Sequence, residues 1–120
     1  MNGLHIVANL YDCKANLERV TTGPFKGMCA MAGFNVVGEA IHQFEPQGTT
    51  LTILLGESHL NIHTWPENKA VMMDVYTCNH TRDNSEATRQ IFAAVCDFFQ
   101  SGVFIHREID RGSLSPDTQP

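Results

Sequence analysis

Residues 49–78 read TTLTILLGESHLNIHTWPENKAVMMDVYTC, and their pattern decides the fold. Residues 49–55 are β-branched or apolar and carry no charge, which marks a strand. Residues 59–63 alternate: Leu60 and Ile62 fall on one face, His59, Asn61 and His63 on the other. Residues 70–77, AVMMDVYT, form a third strand-like run. Gly56 and the Trp65-Pro66-Glu67-Asn68 turn separate the three. Turns this short leave room only for antiparallel pairing. The alternation predicts a sheet with one buried face and one polar face.

Working outward, residues 4–11 (LHIVANLY) and 35–44 (NVVGEAIHQF) read as strands, the latter closed by a turn at Glu45-Pro46-Gln47-Gly48. Residues 16–20 and 25–32 read as helical pieces on either side of a break at Gly23-Pro24, with Gly33 suited to end the second. After a polar loop at 79–84, Asp83 as N-cap and Glu86 three residues later open a helix. Its expected buried stripe is Ala87, Ile91, Ala94, Val95 and Phe98, and Gly102 is expected to end it. Residues 103–109 supply a last strand. The predicted fold is an α+β two-layer sandwich: an antiparallel sheet with two helices on one face, the other face open or meeting a partner. One domain is expected over residues 1–112, followed by a polar, loose tail at 113–120.

With 120 residues, 42% hydrophobic and 18% charged, the chain can bury a core without staples. Its net charge of −5 argues against a nucleic-acid partner, whose phosphates call for a basic face. Cys13, Cys29, Cys78 and Cys96 form no C-x-x-C pair, and no apolar run reaches the length of a membrane span. No signal peptide is expected, because Asn9 and Asp12 interrupt the first apolar stretch, so the expected compartment is a reducing cytoplasm.

Glu57, Ser58, His59, Asn61, His63, Thr64 and Glu67 crowd into eleven positions. Zinc would need His59 and His63 with Cys78 or His80. Strand residues four apart lie ~13 Å from each other, beyond one ion's reach, so no metal is expected. A serine hydrolase would need a G-x-S-x-G elbow before a helix, which is missing.

A third reading fits the spacing. Glu57-Ser58-His59, then Ile62-His63-Thr64-Trp65-Pro66-Glu67, then Asp74-Val75-Tyr76-Thr77-Cys78 resemble the motifs of the prokaryotic S-adenosylmethionine decarboxylase family. His42-Gln43-Phe44-Glu45-Pro46-Gln47-Gly48 and the opening Gly3-Leu4-His5 resemble it as well. The resemblance implies a proenzyme that cuts itself between Glu57 and Ser58 into a β chain, 1–57, and an α chain, 58–120. Ser58 would become a pyruvoyl group, which forms a Schiff base with the substrate amine and serves as electron sink. His63 would be the processing base, Cys78 the proton donor, Phe44 the adenine stack and Glu67 the ribose holder, with Thr50 supporting processing. The family's product would be decarboxylated S-adenosylmethionine for spermidine synthesis. For His63 to meet Ser58 on an ideal strand, the chain must bend near 56–58, where Gly56 makes bending cheap.

Two departures touch substrate recognition. Asn9 stands where many members carry an acid, and Asn68-Lys69 where many carry Gly-Tyr. An L-ornithine or L-arginine decarboxylase of the same chemistry therefore stays open, as does an inactive partner-binding homologue. The resemblance also implies a homodimer with shared sites, and a small-molecule substrate with no membrane partner.

Overall fold

The alternation of residues 49–78 appears directly as three neighbouring strands. In the computed structural model, which describes residues 3–80, 82–112 and 115–116, the strands are β1 Gly3–Cys13, β2 Gly38–Gln43, β3 Thr49–Leu54, β4 His59–Trp65, β5 Ala70–Cys78 and β6 Ser101–Asp110. The helices are α1 Gly23–Met31 and α2 Ser85–Phe99, with a 3-10 turn at Pro66–Asn68. The sheet runs β2-β3-β4-β5-β1-β6 with every pair antiparallel.

One sheet face carries Leu4, Ile6, Leu10, Leu51, Ile53, Leu60, Ile62, Val71 and Val75, all buried. They pack with Phe25 and Cys29 of α1 and with Ile91, Phe92, Val95 and Phe99 of α2. Each such side chain contributes ~1.5–3 kcal/mol on burial, so this layer drives folding. The other face presents His5, Thr50, Thr52, His59, Asn61, His63, Met72, Asp74, Tyr76 and Cys78, all half-buried, with no helix among the described residues packed over them. The expected two-layer sandwich is therefore correct.

Several local expectations need correction. Residues 16–20 are not helical. Asn16 Oδ1 accepts from the Glu18 N–H at 2.8 Å, an Asx turn, and the following backbone serves other strands. Leu17 O accepts from Thr64 Oγ1, and Val20 O accepts from Gln43 Nε2. Gly23-Pro24 starts α1 instead of breaking it, because proline suits the first helical turn. The residue before α2 is Asn84, while Asp83 accepts from the Ser85 N–H. The buried stripe of α2 is Thr88, Ile91, Phe92, Val95 and Phe99. This rotation points Phe92 and Phe99 inward and leaves Ala87 and Ala94 on the flanks. Gln100, left-handed at φ 53°, ends α2, and Gly102 lies inside β6. Strand β2 begins only at Gly38, three residues later than expected. Of the tail, Ser113, Leu114 and residues 117–120 lie outside the described residues.

Candidate active site

The Glu57–Ser58 bond sits in the loop joining β3 to β4. Gly56 takes φ +77°, and the Leu55 N–H donates to Ser58 O at 2.9 Å, closing a tight turn. Glu57 is exposed, whereas Ser58 is 8% exposed. Ser58 Oγ accepts from the backbone N–H of Cys78 at 3.2 Å. Cys78 is the last residue of β5, half-buried, and faces Gly3 across β1. Glu57, Ser58 and Cys78 thus form one group.

A second group lies at the far end of β4. Thr50 and His63 are cross-strand partners, with Thr50 Oγ1 3.0 Å from His63 Nδ1. Together with Phe44, Trp65 and Glu67 they line a hollow of about 270 Å³. Phe44 is exposed, its ring set edge-on to His42 with centroids 4.5 Å apart. Arg19 holds the loop that carries it, donating to Phe44 O at 2.6 Å, Pro46 O at 3.1 Å and Gly48 O at 3.3 Å. This arginine was not singled out in the sequence. Its signal was weak, because the segment around it reads as helical until its long-range bonds are seen.

The two groups do not meet within one chain. His59 adjoins Ser58, and His63 is four residues further along a regular strand, ~13 Å at ~3.3 Å per residue. The expected turn at 56–58 exists, but it brings Ser58 to Cys78 and leaves His63 on Thr50. The expectation that local bending would join His63 to Ser58 is thereby overturned.

Between the groups lies a polar cluster on the open face. His5 Nε2 and His59 Nε2 lie 2.9 and 2.8 Å from Asp74 Oδ2, and Asn61 Nδ2 donates to Asp74 Oδ1 at 3.2 Å. Burial disfavours the Asp74 carboxylate, but the hydrogen bonds from His5, His59 and Asn61 outweigh it and hold the carboxyl below its ordinary range. These two histidines and the aspartate bring their ligand atoms within 4.8 Å of one another. Arg111 Nη1 lies 3.3 Å from His5 Nδ1, and a guanidinium can only donate. The proton of neutral His5 is therefore on Nε2, aimed at Asp74, where a metal would need a lone pair.

Of the two departures, Asn9 shares a hollow of the open face with His63, Met72 and Asp74, and Lys69 lies elsewhere. Asn9 Nδ2 donates to Tyr11 Oη at 3.1 Å on an exposed part of β1. Lys69, left-handed at φ 51°, lines the hollow beside Asp12 and Glu18, not that of Phe44 and Glu67.

Known proteins share both the sequence and the fold of this chain. A family model described as S-adenosylmethionine decarboxylase matches residues 4–112. The S-adenosylmethionine decarboxylase proenzyme of Archaeoglobus fulgidus is 35% identical over 113 residues, 92% of this chain and 97% of that protein. The Oceanobacillus iheyensis proenzyme is 34% identical over 98% of this chain and 93% of its own. The crystal structure of adenosylmethionine decarboxylase from Aquifex aeolicus superposes with TM-score 0.83 at 27% identity, covering 98% and 97% of the two chains. A Trypanosoma brucei AdoMetDC monomer shares the fold alone, with TM-score 0.52 at 16% identity over 88% of this chain and 44% of that one. Matched by the family model over nearly its whole length and by relatives end to end, the chain belongs to the S-adenosylmethionine decarboxylase family.

Proposed function

We propose that this chain is a self-cleaving S-adenosylmethionine decarboxylase whose site is completed by a second copy. The observation that carries the proposal is the division of its chemistry. Ser58, in the β3–β4 loop, adjoins Cys78 at one end of the sheet, and Thr50, His63, Phe44 and Glu67 gather toward the other. Two open faces packed about a two-fold axis would set one copy's Ser58 group against its partner's His63 group. A homodimer of processed chains is therefore the working unit.

Processing follows from the residues. Ser58 Oγ attacks the Glu57 carbonyl carbon, and the peptide nitrogen leaves it, giving an ester. A base then takes the Ser58 α-proton, and the Glu57 carboxylate departs by β-elimination. The dehydroalanine left behind tautomerises and hydrolyses to a pyruvoyl group and ammonia. His63 suits the base, since imidazole titrates near neutral pH. If Nδ1–H donates to Thr50, Nε2 keeps its lone pair for the proton. The site suits a small keto group at position 58: a backbone N–H points at the side-chain oxygen, and a half-buried thiol sits on the same neighbour. When present, that group supplies an electron sink for the carbon losing carbon dioxide. Cys78 supplies the proton that replaces carbon dioxide, Phe44 offers a face for adenine, and Glu67 offers a carboxylate for ribose hydroxyls.

The test is product analysis of purified protein given S-adenosylmethionine, L-ornithine or L-arginine separately. Carbon dioxide from S-adenosylmethionine alone is expected. Release only from a basic amino acid would overturn the substrate assignment, and none from any would support an inactive homologue.

A further inference from the structure

Tyr76 lies on the open face between the polar cluster and Cys78, and the reaction outlined above gives it no part. Its ring occupies a place made for it. Gly3 faces Cys78 across β1, and a Cβ on Gly3 would fall 2.6 Å from Tyr76 Oη and 2.5 Å from Cε1. Only the missing side chain lets the phenol lean over this strand. The Arg111 guanidinium covers the ring at 4.9 Å from its centroid, and the Arg111 N–H donates to Gly3 O at 2.9 Å. The rings of His5 and His59 stand beside it at 5.7 and 5.9 Å. Glycine, cation and imidazoles together fix the ring, with its hydroxyl over Gly3, the cross-strand partner of Cys78.

We propose that Tyr76 is a positioning residue for Cys78, donating its phenolic hydrogen bond to the sulfur and so stabilising the anion that remains when the thiol gives up its proton. The inference rests on Cys78 as proton donor. When the S–H bond breaks, its electron pair stays on sulfur, and the proton goes to the substrate-derived carbon. A hydroxyl held over the strand beside that sulfur can stabilise the anion with little reorganisation. Burial, and then the adjacent Cys78, push the Tyr76 hydroxyl above its ordinary value, so it remains a donor at neutral pH. Gly3 acts through the same ring: its lack of a side chain is a requirement for the placement.

The test separates this role from turnover. In full-length chain made uncleavable by Ser58→Ala, the rate at which iodoacetamide alkylates Cys78 is followed by peptide mass at fixed neutral pH. Thiolate is the species that displaces iodide. Tyr76→Phe keeps the ring and removes one hydrogen bond to a charged group, so alkylation should slow about three- to tenfold. Gly3→Ala, which displaces the ring, should slow it similarly, and the double variant should show no further fall. In the cleavable chain, Tyr76→Phe should lower kcat with KM little changed and give more α chains ending in alanine per turnover. An alkylation rate within twofold of the parent in Tyr76→Phe would overturn the proposal, even if Gly3→Ala fails to fold. Full turnover in Cys78→Ala would instead overturn the donor assignment, and the alkylation result would stand by itself.

Discussion

At the scale of single residues, the Glu57–Ser58 turn makes a specific chemical claim. The acyl shift needs the Ser58 oxygen, whereas elimination needs a base for the α-proton. His63→Ala should therefore stall as the ester, and Ser58→Ala should remain a peptide. Hydroxylamine should cut the first variant and leave the second whole on a denaturing gel. A His63→Ala chain that resists hydroxylamine would remove His63 from elimination. Cys78→Ala should process but lose ~10²–10⁴ in turnover, the usual worth of a positioned acid. It should also accumulate α chains ending in alanine, seen by mass, because the proton then reaches the wrong carbon more often. The residue types and their order were legible in the sequence, since each step requires a particular functional group. Their grouping was not read from it. The spacing argument that separates His59 from His63 applies equally to Ser58 and His63, and it favours a second copy over a bend.

At the scale of elements, the strands were legible because alternation is strong where one face is buried and the other wet. Element ends were harder. Gln100 closes α2 in the left-handed region at φ 53°, a conformation glycine adopts without the cost borne by other residues. Gln100→Gly should therefore raise stability by ~0.5–1 kcal/mol in urea unfolding. The segment at 16–20 misled because its backbone bonds go to residues distant in sequence, which no local pattern records. Asp74 links β1, β4 and β5 through His5, His59 and Asn61. Its carboxyl is held below the ordinary value of ~3.9, so the unfolded chain binds its proton first as pH falls. The stabilisation is present above that value and is lost as pH drops through the lower folded-state value. Asp74→Asn should thus be less stable than the parent at pH 7, with the gap in urea midpoint closing in acid below about pH 3.9. An unchanged gap across that range would show that the cluster does not stabilise the carboxylate.

At the scale of the whole molecule, the sheet places Cys78 of one group and Thr50 and His63 of the other on one uncovered face. The two helices occupy the other face, and among the described residues no helix is long and apolar enough to cross a membrane. The fold class was legible because short turns force antiparallel pairing. That β1 lies between β5 and β6 was not, because strand order depends on contacts between the two ends of the chain. In the proposed dimer, one site takes Ser58 and Cys78 from one copy and His63 from the other. Differently tagged Ser58→Ala and His63→Ala chains, co-expressed and purified as mixed dimers, test it directly. Alone, neither variant should yield an α chain headed by a pyruvoyl group. In the mixed dimer, the intact Ser58 of one chain meets the intact His63 of the other. The His63→Ala chain should then be cleaved and carry that group by mass, while the Ser58→Ala chain stays whole. A His63→Ala chain that remains unprocessed in a verified mixed dimer would show that His63 acts within its own chain, and the shared site would be wrong.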